Sequence, residues 1–150
     1  MKRCDTLVAV ILAIALIFSL SASAVASVDE VLIDETRSSE YLRSYNVAIF
    51  ATGNDKMKVS FSVAAKRTMD YVGVWEIEIE KKVAGSWTYD RTLSHEEYSN
   101  FLKTNSSRNN SEVIFNGVRG VEYQATITAY AADSNGSDSK LATSFSATCY

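Results

Sequence analysis

From residue 45 onward the chain alternates apolar and polar side chains, and a period of two predicts strands rather than helices. NVAIFAT (46–52) and MKVSFSVAA (57–65) flank the turn Gly53-Asn54-Asp55-Lys56. Met57, Val59, Phe61 and Val63 fall on one face, with Lys58, Ser60 and Ser62 on the other. This is a hairpin with one wet side. After a loop at 66–71, GVWEIEIEKKV (73–83) sets Trp75, Ile77 and Ile79 against Glu76, Glu78 and Glu80. The apolar set, Trp75 included, is expected in the core. Ala84-Gly85-Ser86 then returns the chain into SWTYDRTL (86–93), a second hairpin.

The alternation breaks at SHEEYSNFLKTNSSRNN (94–110). Ser94 followed by Glu97 forms a capping-box pattern, and Tyr98, Phe101 and Leu102 stand at helical spacing, so a short helical turn is expected near 94–104, followed by a polar loop. SEVIFNG (111–117) resumes the strand pattern. In GVEYQATITAYAAD (120–133), Tyr123, Ala125, Ile127 and Ala129 share one face, and Gln124, Thr126, Thr128 and Tyr130 share the other. The turn DSNGSDS (133–139) precedes KLATSFSATCY (140–150), where Leu141, Thr143, Phe145 and Ala147 are expected to share a face that Cys149 continues inward. About seven strands at short intervals predict an all-β, antiparallel two-sheet sandwich. The chain has no proline. Its edge strands must therefore be protected by charge, for which the Glu76/Glu78/Glu80 comb is a candidate.

The first 26 residues are of another kind. Lys2 and Arg3 precede an apolar run at 7–18, followed by the small residues Ala22-Ser23-Ala24-Val25-Ala26. A basic start, a short apolar stretch and an A-x-A site predict a secretory signal peptide over 1–26, cleaved before Ser27 or two residues earlier. The alternative is an uncleaved anchor, since the apolar and small residues together approach the ~20 that span a bilayer. Cleavage predicts a secreted protein with no stable membrane insertion, a polar and acidic lead-in over 27–44 with a short strand at Val31-Leu32-Ile33, and one domain over 45–150.

Val118-Arg119-Gly120-Val121-Glu122-Tyr123-Gln124-Ala125-Thr126-Ile127-Thr128-Ala129 resembles the corner and following strand of fibronectin type III domains, relatives of the immunoglobulin fold. In that family a tyrosine hydroxyl closes this corner. Gly136-Ser137-Asp138-Ser139 is similar to the family's turn into its last strand. The stretch from Tyr71 to Ile79, followed by Gly85-Ser86-Trp87, resembles its third and fourth strands; Phe61 holds the place of the family's second-strand tryptophan. The chain as a whole also resembles a group of short secreted proteins of Gram-positive gut bacteria, in its leader, its Thr68-Met69-Asp70 loop ending at Gly73 and its Ser137-Asp138-Ser139 turn. That resemblance implies secretion and a small β-domain, and no activity.

Charge narrows the partners. The net charge is −3, and losing Lys2, Arg3 and Asp5 with the leader makes the remainder one unit more acidic. With no basic cluster beyond Lys66-Arg67 and Lys81-Lys82, nucleic acid is not an expected partner. Of two cysteines, Cys4 lies in the leader, so Cys149 has no internal partner. It is expected as a buried small apolar residue, the alternative being a disulfide to a second chain.

No residue set announces a chemistry. His95 is the single histidine, and its neighbours Ser94 and Glu96 point away from it on an extended chain, so no triad is expected. One histidine and one cysteine make no zinc site. Glu76, Glu78 and Glu80 stand about 7 Å apart along one strand, but a flat wet face raises no carboxyl pKa as a glycosidase acid requires. Asp133, Asn135 and Asp138 could offer oxygens to calcium, and the same residue types are ordinary in hairpin turns. Sequons at Asn105, Asn109 and Asn135 would matter only in a eukaryotic secretory route. No catalytic residue, metal or cofactor is predicted.

Aromatic residues remain. The chain has 8 tyrosines and 2 tryptophans. With Trp75 and Tyr123 assigned to the core, Trp87, Tyr89, Tyr98 and Tyr130 are the rings free to be exposed, and Trp87, Tyr89 and Tyr130 are the candidate ligand-binding residues. Exposed rings give contact area at low entropic cost, which suits a protein or a sugar. The expectation is a non-enzymatic secreted module that binds an extracellular protein or glycan. The alternative is a structural protein that self-assembles through edge strands or a Cys149 disulfide.

Overall fold

The computed structural model describes residues 39–150. The leader, the cleavage site and the strand expected at Val31-Leu32-Ile33 lie outside the described residues.

Among the described residues, seven antiparallel strands follow in chain order: β1 (Leu42–Gly53), β2 (Lys56–Val83), β3 (Ser86–Ser94), β4 (Leu102–Asn116), β5 (Glu122–Asp133), β6 (Gly136–Thr143) and β7 (Ala147–Thr148). The first two hairpins turn through pairs of left-handed residues, Asn54 and Asp55 at φ 54° and 57°, and Ala84 and Gly85 at 50° and 87°. Two-residue loops of this hand match the twist of the strands they join.

The long strand β2 organises the molecule. Its first part, 56–64, lies between β1 and the second half of β4. Its last part, 71–83, has β5 on one side, with β3 and the start of β4 on the other. β6 and β7 extend the sheet from β5. The expected loop at 66–71 is instead the place where β2 bends. The register against β4 jumps there from Ala64–Arg108 to Met69–Ser106, and Lys66, Arg67 and Thr68 turn outward together. A bulge of this kind lets one strand serve two parts of a curled sheet without breaking.

The curled sheet encloses one core. Met57, Val59, Phe61 and Val63 of β2, with Val113 and Phe115 of β4, meet Val72, Val74, Ile77 and Ile79 of the far part of β2 and the inward row of β5 from Tyr123 to Ala131. Edge-to-face pairs join regions distant in sequence: Phe61 with Phe101 at 5.5 Å, and Phe115 with Tyr123 at 5.6 Å. Such pairs contribute about 0.5–1.5 kcal/mol each beyond the area they bury.

Three expectations are corrected. No helix forms near 94–104. Glu97 and Tyr98 donate to the Ser94 carbonyl, both at 3.1 Å, and Phe101 then donates to Tyr98, so the chain makes consecutive turns and enters β4. The Phe101 carbonyl explains the stop, because it accepts from the Val74 N–H at 2.8 Å and is drawn into the sheet rather than onward along a helix. The polar loop expected after this turn is part of β4, and Asn109 within it is only 4 % exposed. In β6 and just after it the predicted face is reversed: Leu141 of β6 and Phe145 beyond its end are 69 % and 77 % exposed, while Ala142 packs against the core. Cys149 is nevertheless buried, since the chain is irregular at 144–146 and the alternation does not carry across it.

Candidate functional site

The expected position of Trp75 is also corrected, and the correction creates the most distinctive surface of the domain. Against β5 the register runs Val74–Ala129 and then Glu76–Thr128, leaving Trp75 as an extra residue. Val74 and Ile77 both point inward as a result, and Trp75 joins Glu76 on the outer face, 41 % exposed. A bulge re-aims one side chain at little cost to the rest of the ladder.

Two rings gather on Trp75. The His95 imidazole lies against it with centroids 3.8 Å apart, and the Tyr130 ring is 4.9 Å away at 55°. His95 is held by its backbone, whose N–H donates to the Trp75 carbonyl at 3.0 Å, and its Nδ1 is also 3.0 Å from that oxygen. A carbonyl can only accept, so Nδ1 carries the proton in this contact.

The far end of the same turn is clamped from beneath. Asn109 Nδ2 donates to the carbonyls of Phe101 at 2.7 Å and Asn100 at 3.1 Å. The clamp closes against Gly73, at φ 150°, where an added Cβ would lie 2.0 Å from the Phe101 oxygen. Only a residue without a side chain lets the turn approach β2 this closely. The burial of Asn109 also removes its side chain from the surface, leaving Asn105 and Asn135 as the exposed sequons.

The outer face continues down the sheet from this cluster. Glu76 and Glu78 are exposed, and neither has a hydrogen bond or ion pair among the described residues. Glu80 accepts from Gln124 at 2.5 Å. Across from Glu80 stands Tyr89, 59 % exposed, its hydroxyl 3.4 Å from that of Thr92. Trp87, opposite Lys82, is half-buried beneath that ammonium, 5.3 Å from its ring. The three rings expected at the site thus separate. Tyr130 faces Gly73, whereas Tyr89 and Trp87 face Glu80 and Lys82, on the order of 20 Å away at about 3.3 Å per residue.

Ion pairs mark the rims of the sheet. Asp90 is paired with Lys81 at 2.9 Å and Arg91 at 2.7 Å. Burial works to raise its pKa, and the bonds from Lys81 and Arg91 outweigh burial and hold the carboxyl below its usual value. Glu122 is lowered by hydrogen bonds from Ser146 and then Lys82. Asp133 is lowered by Arg67, 2.7 Å away, and by the Asn135 N–H. Of the residues weighed for calcium, Asp133 is engaged within the fold as described and Asp138 accepts from the Ser39 hydroxyl. No group of three metal-ligating side chains occurs among the described residues.

The alternation put Tyr130, Tyr89 and the glutamate comb on the outer face, in agreement with the register, but did not make Trp75 and His95 neighbours there. Trp75 is hidden by perfect alternation with Ile77 and Ile79, because a bulge leaves no mark in an apolar/polar pattern. His95 is placed by a backbone bond from the turn that the capping pattern disguised. In comparison with known proteins, no protein-family model and no curated protein matches this chain.

Proposed function

We propose that this chain is a secreted, non-enzymatic binding module of fibronectin type III-like build, which recognises an extracellular protein or glycan on the outer face around Trp75. The fold part of the reading is supported by the strand pairing, with β1, β2 and β4 in one group and β3, β2, β5 and β6 in the other. It is supported further by Tyr123, whose buried hydroxyl accepts from the Val118 N–H at 3.0 Å, as a corner tyrosine does.

The observation that carries the binding part is the exposure of Trp75 between His95 and Tyr130 on a sheet face, where the core would have offered it more burial. Large rings held rigidly at the surface give area to a partner with little entropy to lose. The face is open and its exposed carboxylates stand in water, which suits recognition rather than acid catalysis.

Retention of the purified protein on peptidoglycan, mucin, insoluble polysaccharides and immobilised extracellular proteins tests the reading, with Trp75→Ala and Tyr130→Ala as paired variants. Retention lost in both variants is the expected result. Equal retention of parent and variants on every surface would remove this face from the function.

A further inference from the structure

The outer face of β2 and β5 carries more than rings, and its charge is one-sided. Down β2 from Trp75 the outward positions are Glu76, Glu78 and Glu80, and Glu122 lies on the same face of β5. Among the described residues of this face, Lys82 is the one ammonium or guanidinium group, and Glu122 already holds it at 2.9 Å. Arg91 and Lys81 face the other way and belong to Asp90. Glu76 and Glu78 therefore stand as unneutralised neighbours about 7 Å apart, inside a Debye length of about 8 Å at physiological salt.

Rings bound this acidic run at both ends: Trp75 with Tyr130 at one, Tyr89 at the other. Trp75 at 41 % and Tyr89 at 59 % exposure leave aromatic surface at both ends against which a guanidinium or ammonium can rest. The spacing of the carboxylates is that of alternate side chains along an extended strand, because the carboxylates are themselves alternate side chains of β2. An extended chain laid along β2 would offer every second side chain at the same repeat.

We infer that this stripe is a docking surface for a basic polypeptide segment in extended conformation, with Lys or Arg at alternate positions meeting Glu76 and Glu78 and a cation resting against Trp75 and Tyr130. The inference rests on the binding reading above and chooses within it. Charge complementarity decides the occupant. An anionic glycan would be repelled by Glu76, Glu78 and Glu80, and a neutral glycan would leave all three without a counter-charge, since Lys82 is held by Glu122 and Glu80 has only the neutral Gln124 amide. A basic peptide satisfies both the carboxylates and the rings.

The test uses fluorescent peptides of about eight residues, long enough for the stripe at about 3.3 Å per residue. One alternates Arg and Ser, one Gln and Ser, and one Glu and Ser; a labelled neutral oligosaccharide completes the set. Anisotropy titration of the protein should show binding of the Arg peptide alone, weakened about tenfold or more between about 50 mM and about 300 mM salt. Glu76→Gln with Glu78→Gln should weaken it by about tenfold, and Trp75→Ala should also weaken it. Glu112→Gln, on the other part of the sheet beside Lys58, should leave it unchanged. Oligosaccharide binding that depends on Trp75 while the Arg peptide does not bind would overturn the inference and keep the binding module. Arg-peptide binding indifferent to the double glutamate variant would overturn the placement of the partner. Failure of every probe, together with no retention on any surface, would overturn both readings.

Discussion

The side-chain amide of Asn109 donates to the carbonyl of Phe101 at 2.7 Å, and the same oxygen accepts from the Val74 N–H at 2.8 Å. One buried amide thereby fixes the end of the turn whose beginning lays His95 against Trp75. The outer aromatic cluster is held from below by a residue that never reaches the surface.

Asn109→Ala leaves the Asn100 carbonyl without its bond and removes the second partner of Phe101. Losing a buried hydrogen-bonding group costs about 1–3 kcal/mol. The variant is expected to fall in that range by urea denaturation. Because the turn is loosened, the intrinsic fluorescence of Trp75 should change in the folded state as well. A stability loss without a spectral change would mean that the clamp does not position His95.

How far these features were legible follows from their physical origin. Alternation showed which residues of β2 and β5 point inward wherever pairing is regular, and it found Met57 to Val63 and Tyr123 to Ala129 correctly. It failed at Trp75, Leu141 and the 66–71 bend, where an extra residue or an irregular stretch shifts the phase by one. Such shifts are decided by which strand pairs with which, and no local pattern records that. Asn109 read as loop because Asn-rich runs are usually solvated; its burial depends on a carbonyl contributed by another segment. Of the candidate rings, Tyr89 and Tyr130 were visible as polar-face aromatics, but their separation needed the register.

Tyr123→Phe removes the hydroxyl that accepts from Val118 and leaves the ring in place against Phe115. The expected loss is about 0.5–1.5 kcal/mol, the net value of one hydrogen bond. Tyr123→Ala should cost about 3–5 kcal/mol, since it also empties a core position. Thermal unfolding of the pair separates the corner bond from the packing. Equal losses would show that the hydroxyl contributes most of the effect of Tyr123.

Acid should weaken the fold through Asp90, Asp133 and Glu122. All three carboxyls are held below their ordinary values, so each contributes stability that is fully present above its unfolded pKa and is lost as pH falls through the folded one. The decline should begin as pH falls through about 4, the unfolded carboxylate range. Asp90→Asn should be less stable than the parent at neutral pH, and the two should converge in acid. Urea midpoints across pH check the slope, and a constant difference between parent and variant would exclude Asp90 as a source of it.

Cys149 is 1 % exposed, with its sulfur beside the position where a side chain on Gly117 would lie. A disulfide to a second chain would require this strand end to come out of the core. In a Cys4→Ser background, which leaves Cys149 as the single thiol, thiol reagent should therefore leave native protein unlabelled and label it fully in denaturant. The solution mass should be the same with and without reductant. Rapid labelling of the native protein would return self-assembly through Cys149 to consideration.

The bulge at Trp75 can be separated from simple alternation by two truncations two residues apart. If β2 alternated without interruption, Trp75 and Ile77 would share the core, and Trp75→Ala would cost about 3–5 kcal/mol. With the bulge, truncation removes the contacts with His95 and Tyr130, two ring pairs at about 0.5–1.5 kcal/mol each. A loss of about 1–3 kcal/mol is expected. Ile77, wholly buried, should cost about 2–5 kcal/mol on truncation to Ala. Chemical denaturation of the two variants measures the difference directly. A Trp75 variant as unstable as the Ile77 variant would place the ring inside, and the surface on which binding depends would then lack its central residue.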